Sequence, residues 1–269
     1  MLKVGIIGFG TIGEDVAEAI KQGKAGAAKL VSVLVRDVSK YDNATKDDTS
    51  VLTDKVEEFF AQRPDVVVES AGHEAVRKYG PLALTQGADL IVVSVGAFAD
   101  DQLLHQIKAR AAESGSKVFI PSAAIGGLDR IAAGSVGEMD EVTLITRKPP
   151  QAWYGTFIEQ QVDLAGLTEP YLAFDGVARD SARQFPESVN VSAALSLAGI
   201  GFDKTKVKVW VDPAITQNTH EIVASGRFGR IQLQIQNTPS ARNPKTGYIV
   251  AMSVVKTLRD RTSSLVIGH

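Results

Sequence analysis

His220, in the stretch DPAITQNTHEIVASG (Asp212–Gly226), is the residue with most to offer chemically. It is one of four histidines in the chain. An imidazole titrates near neutrality, so it can take a proton in one step and return it in another. His220 stands just after a loop, at the start of a short apolar run. By strand alternation it shares a face with Ile222 and Ala224. That setting suits a core histidine as well as a reactive one, and desolvation there would lower its pKa and keep the ring neutral. His73 follows ESAG directly and either reacts or caps the next helix. His105 falls in a helix away from the expected cleft, and His269 is the last residue.

A second stretch with chemistry in it is Gly8-Phe9-Gly10-Thr11-Ile12-Gly13, a G-x-G-x-x-G. It follows the apolar run Leu2–Gly8 and opens TIGEDVAEAIKQG, whose Ile12, Val16, Ala19 and Ile20 have helical spacing. A strand before and a helix after is the context in which this pattern binds a dinucleotide rather than merely turning the chain. Gly8 allows the tight turn, Gly10 lets the backbone approach a pyrophosphate, and Gly13 lets the helix pack closely on the strand. Thr11 and Ile12 begin the helix, whose free N–H groups and dipole face the phosphates. Near the end of the next strand stand Arg36 and Asp37. The acid suits a ribose 2′-hydroxyl and the guanidinium a 2′-phosphate, so NAD, NADP or both fit; Arg36 also reads as a solvated strand end.

These residues need a scaffold, and the chain supplies an alternating one. KLVSVLVRD, PDVVVESAG, DLIVVSVGAF and KVFIPSAAIGG read as strands, with a short strand near Val51. DKVEEFFAQ, HEAVRKYGPLALTQG (interrupted near Gly80-Pro81) and DDQLLHQIKARAAESG read as helices between them. The pattern implies an α/β fold with an N-terminal Rossmann-type parallel sheet over residues 1–123. Ligands bind at the carboxyl ends of such strands. Those ends are small (ESAG with Ser70 and Ala71, SVGAF, PSAAIGG), which leaves room for a nicotinamide and its ribose.

From about Gly126 the texture changes. DEVTLITRKPP, EPYLAFDGVA, KVKVWVDP, THEIVASG and GRIQLQIQNTP read as strands, several alternating with period two. GLDRIAAGSVG and ESVNVSAALSLAG read as helices. A second α+β domain on a mixed sheet is therefore expected over 124–244. The closing stretch 245–269 is expected as a helix that packs back on the first domain.

Composition narrows the function classes. With 269 residues and 44% hydrophobic content the chain can bury a large core. A net charge of −2 and the lack of a long basic run argue against nucleic acid or an anionic membrane. The absence of cysteine excludes disulfides, thiolate metal sites and a thiol nucleophile. With no H-x-x-x-H pair or histidine–carboxylate cluster, no metal is expected. No apolar run reaches the ~20 residues of a membrane helix, so a cytoplasmic setting is the default.

Three patches taken together, GFGTIG, PSAAIGGLD, and FPESVNVSAALSLAG followed by DPAITQNTHEI, resemble the L-aspartate dehydrogenase family over essentially the whole chain. The resemblance implies oxidation of L-aspartate with NAD(P)+ to iminosuccinate, which hydrolyses to oxaloacetate and ammonia or feeds quinolinate and NAD synthesis. It implies a homodimer whose second domain holds substrate and dimerises. It also implies that Ala124 and Asn190 contact the cofactor and that His220 is catalytic, aimed toward the nicotinamide by the loop Pro213–Asn218. Two substrate carboxylates would need cations: Lys148 first, then Arg147, with Arg179 and Arg183 close before Asn190. Each alone also reads as a solvated charge. Aspartate-semialdehyde dehydrogenase would need the missing cysteine, and dihydrodipicolinate reductase a paired-histidine motif that is not found. A homoserine dehydrogenase, or an NAD(P)H sensor that does no chemistry, remain as alternatives.

Overall fold

The computed structural model describes residues 1–41, 50–185, 189–243 and 246–268. They form two compact units, one of residues 1–123 with 239–269, the other of residues 124–238.

The first unit carries β1 (Leu2–Ile7), β2 (Ala28–Leu34), β3 (Val51–Thr53), β4 (Val66–Glu69), β5 (Asp89–Val92) and β6 (Val118–Phe119). All run parallel, in the order β3-β2-β1-β4-β5-β6. The order reverses beside β1, where sheets of this kind open a crevice at the strand ends. Every residue of β4 and β5 is buried, as strands covered on both faces require. The covering helices are α1 (Thr11–Lys21), α2 (Val56–Ala61), α3 (His73–Thr85) and α4 (Asp101–Ser114). The α1 helix turns Gly13, Val16, Ala17 and Ile20 inward. The Asp100 carboxylate caps α4 by accepting from the backbone N–H groups of Gln102 and Leu103, and Gly115 ends the helix in a left-handed turn at φ 72°.

The last helix, Tyr248–Asp260, belongs to this unit. Its Val250, Val254 and Leu258 join Val4, Ile6, Val16 and Ile20 in one core, each contributing about 1.5–3 kcal/mol of apolar burial. The helix is shorter than the expected 245–269. The second unit closes at Thr238 rather than at residue 244, because Pro239 bridges Gly247 and the Ser240 N–H donates to the Thr246 carbonyl at 2.7 Å, tying this segment to the helix start.

Other elements also depart from expectation. The helix expected to break near Gly80-Pro81 runs unbroken through α3 with Pro81 inside it. Proline removes one N–H, but Val76, Gly80, Ala83 and Leu84 on both sides of it are buried, and helices in proteins are stabilised mainly by such packing. DLIVVSVGAF and KVFIPSAAIGG are strands only over β5 and β6; Val95–Ala99 is a short 3-10 helix. Beyond β5 the Ser94 N–H bonds the Glu69 carboxylate. Beyond β6 the chain turns left-handed at Ala123 (φ 50°) and Gly127 (φ 74°), which no pleated strand accommodates.

The second unit opens with α5 (Leu128–Gly134) and β7 (Met139–Lys148), followed by β8 (Tyr171–Val177), α6 (Ala178–Gln184), α7 (Val189–Ala198), β9 (Lys206–Val211), β10 (Thr219–Gly226) and β11 (Gly229–Gln236). The sheet order is β11-β10-β7-β9-β8. The β7–β9 pair is parallel and the others antiparallel, giving the expected mixed sheet. The α6 helix was not expected from the sequence pattern. Residues 186–188, where the helix beginning at Glu187 was expected to start, and 42–49, within the polar stretch before β3, lie outside the described residues, as does His269.

Candidate active site

In the first unit the turn after β1 is shaped by what its glycines leave out. Gly8 has φ 92°, and a Cβ on it would lie 2.7 Å from the Ala71 Cβ. A Cβ on Gly13 would collide with the Gly8 carbonyl, so this glycine is what lets α1 sit down on the turn. A Cβ on Gly10 would meet nothing within 4 Å. Gly10 therefore keeps open space in front of the first turn of α1, where no side chain caps the N–H groups. Uncapped donors, a helix dipole and an unfilled approach fit a pyrophosphate, with Thr11 and Ile12 in the first turn.

Ser70 and Ala71 abut this turn. The Ser70 N–H donates to the Ile7 carbonyl at 2.9 Å, and its hydroxyl donates to the Gly8 carbonyl at 3.1 Å. Ser70 thus secures the glycine turn. A residue not anticipated from sequence, Glu69, organises the neighbouring strand ends. Its carboxylate accepts from the Ala71 and Gly72 N–H groups, each at 2.8 Å, from the Ser94 N–H at 3.0 Å and from the Ser94 hydroxyl at 2.9 Å. Burial pushes this carboxyl up, and those donors pull the other way. His73 is the first residue of α3, one position after the capping Gly72.

At the end of β2, Arg36 is exposed. The Asp37 carboxylate accepts from the Ser39 hydroxyl at 2.6 Å and its N–H at 3.1 Å. The Ser39 hydroxyl foremost holds Asp37 below the usual carboxylate range. Tyr41, unforeseen, donates its hydroxyl to the Phe9 carbonyl at 3.1 Å, tying this corner to the glycine turn.

In the second unit His220 is the second residue of β10 and pairs with Thr146 of β7. Its Nδ1 is 3.0 Å from Thr146 Oγ1. Burial, and then the nearby Lys148 ammonium, lower its pKa to about 4, so the ring is neutral at physiological pH. Lys148 ends β7, with its ammonium 5.1 Å from the centre of the Trp153 ring. The remaining candidate cations have partners of their own. Arg147 bonds the Asp212 carboxylate at 3.2 Å and lies over Trp210. Arg179 bonds Asp203 at 2.9 Å. Arg183, largely exposed, is 3.4 Å from Asp180 on its own helix.

The β7–β10 ladder therefore brings His220, Thr146, Lys148 and Arg147 to one region, while Arg183 belongs to α6. Ala124 keeps its place because its carbonyl accepts from Asn237 Nδ2 at 2.7 Å. Asn190 stands in the first turn of α7, half-buried. Thr146 escaped sequence reading because only strand register sets it opposite His220. Glu69 carried a faint signal: a carboxylate ending an otherwise apolar strand.

Two family models match the chain. Residues 129–261 match the family model described as "Aspartate dehydrogenase, C-terminal", and residues 8–121 match "Homoserine dehydrogenase, NAD binding domain". The chain is 39% identical to the L-aspartate dehydrogenase of Methanocella arvoryzae and 40% identical to that of Methanosarcina barkeri, with all of each chain covered. Among solved structures it resembles the aspartate dehydrogenase of Thermotoga maritima, with a TM-score of 0.77 and 28% identity over 99% of both chains.

Proposed function

The chain belongs to the L-aspartate dehydrogenase family and is an NAD(P)-dependent oxidoreductase, and from that premise we propose that it oxidises L-aspartate to iminosuccinate with His220 as the acid/base group. The observation that carries the mechanism is the neutral, buried imidazole of His220, one strand across from Thr146 and within the field of Lys148.

When bound, the nicotinamide accepts the hydride that leaves the substrate Cα. The chain's own residues do the rest. Gly8, Gly10, Thr11, Ile12 and Gly13 hold the pyrophosphate through backbone. Ser70 and Ala71 shape the nearby strand end, and Asn190 and Ala124 contact the nicotinamide half. His220 takes the proton that the substrate nitrogen must lose as the C=N bond forms. If the imine is hydrolysed in place, the same ring takes a proton from the attacking water. Lys148, whose ammonium lies close enough to His220 to lower its pKa, is the favoured partner for a substrate carboxylate, ahead of Arg147 and Arg183.

Exposed Arg36 beside an Asp37 partly engaged by Ser39 suits either nucleotide, NAD or NADP. Iminosuccinate then yields oxaloacetate and ammonia or passes to quinolinate synthesis, in a cytoplasmic homodimer built through the second unit.

The test is direct. Purified protein with L-aspartate and NAD+ or NADP+ is expected to produce reduced cofactor. Binding of the nucleotide with no reduction on adding L-aspartate would favour a sensor, and turnover of homoserine in its place would favour the other dehydrogenase.

A further inference from the structure

We propose that Thr146 is the positioning residue for His220: its hydroxyl holds ring nitrogen Nδ1 and leaves Nε2 as the nitrogen that exchanges protons with the substrate. The inference rests on the reading of His220 as the acid/base group.

Thr146 and His220 stand opposite each other in the β7–β10 ladder. Thr146 is 5% exposed and His220 7%, so water does not compete for the bond between them. Among the described residues neither side chain has another hydrogen-bond partner. β7 is bonded on both sides, to β10 and to β9, which fixes the Thr146 backbone. A β-branched side chain on a fixed strand has little freedom at χ1. The hydroxyl is thus held in place by the sheet.

The chemistry of the partner matters as much as its position. A carboxylate or carbonyl only accepts, so it would demand a proton on Nδ1; a carboxylate would also favour the imidazolium. A hydroxyl does both. It donates to bare Nδ1 while Nε2 carries the proton. It rotates to accept from Nδ1–H when Nε2 is bare or when the ring is fully protonated. The bond therefore survives each protonation state, and the ring keeps its orientation as protons come and go at Nε2. Being neutral, Thr146 holds the proton on the ring far less than a carboxylate would. Lys148, the charged group whose field reaches the imidazole, opposes the imidazolium.

The experiment compares Thr146→Val, nearly the same shape without the hydroxyl, with Thr146→Ser, which keeps it. With L-aspartate the valine variant is expected to lose about tenfold or more in kcat, with KM for the nucleotide within about twofold of wild type. Serine is expected to recover most of the loss. Nitrogen-15 spectra of the imidazoles are expected to show the Nδ1 signal of His220 change in the valine variant and return with serine, while His73 and His105 stay put. If the valine protein does not fold, Thr146→Ala removes the hydroxyl for the same readouts. Wild-type turnover in the valine or alanine variant, or a loss that serine does not recover, overturns the role of Thr146. If His220→Ala itself turns over normally, the acid/base reading fails, and this inference with it. An inactive His220→Ala beside a fully active Thr146→Val sinks this inference alone.

Discussion

The two units build their sites from opposite materials. Around the turn after β1 the working parts are backbone N–H groups and absent side chains, and the ligand's approach is a space that Gly10 leaves empty. On the β7–β10 ladder the parts are side chains, and His220 is buried, neutral and, among the described residues, held by a single side-chain hydrogen bond. The first, proposed to bind a pyrophosphate through backbone groups, should depend little on pH. If the second moves protons as proposed, everything there depends on the environment of one ring. Binding and chemistry should therefore fail separately when each unit is altered.

The largest separation is expected from His220→Ala. Its kcat with L-aspartate should fall by roughly 10²–10⁴, while isothermal titration shows nucleotide affinity within about twofold of wild type. A parallel loss of nucleotide binding would mean that the units do not divide the work this way.

Acid should expose the same ring through stability. The pKa of His220 is lowered from 6.5 to about 4 in the fold. Between those values the unfolded chain takes up a proton that the folded chain refuses, so stability falls as pH drops through this window and levels off below it. The contribution is roughly 3 kcal/mol. Denaturant titrations from pH 7 to pH 4 should show that loss in wild type and a flatter profile in His220→Gln.

The converse alteration is Gly10→Val. Gly10 has φ −91°, which other residues adopt, and a Cβ there meets no protein atom. Melting temperature should hold, while nucleotide affinity falls on the order of tenfold as the side chain fills the approach. Unchanged affinity would remove the pyrophosphate from that space.

The smallest effect concerns charge at the same turn. Arg242 bonds both Glu14 and Asp15 in the early part of α1, where these acids would otherwise repel a phosphate. Arg242→Ala should raise KM for the nucleotide about two- to threefold, as exposed ion pairs permit. Adding Glu14→Gln and Asp15→Asn should bring it back; no recovery would mean that Arg242 acts only as a tether.

The same contrast explains what could be read from the sequence. The glycine turn lies in one contiguous stretch, and its flanking strand and helix are local patterns, so residues 2–20 disclosed both the element order and the ligand class. The strands of the second unit showed through alternation, and His220 stood out as a rare titratable residue. Its partner did not, because Thr146 is 74 positions away and only register makes them neighbours. Glu69 was hidden for a similar reason: its worth lies in the donors converging on it from two strand ends. Pro81 was misleading because proline chemistry is local, whereas the burial of Val76, Gly80, Ala83 and Leu84 around it is set by tertiary packing.

The last helix has a consequence for how the protein is made. The nucleotide-binding core is completed by Val250, Val254 and Leu258, yet its six strands have all been translated by Phe119. At roughly 5–20 residues per second, those strands wait on the order of ten seconds for their missing wall to leave the ribosome. Residues 124–238, contiguous in the chain, have no such delay. The half that is synthesised first is therefore the half that finishes folding last, and during that interval its apolar groove is the surface a chaperone would meet.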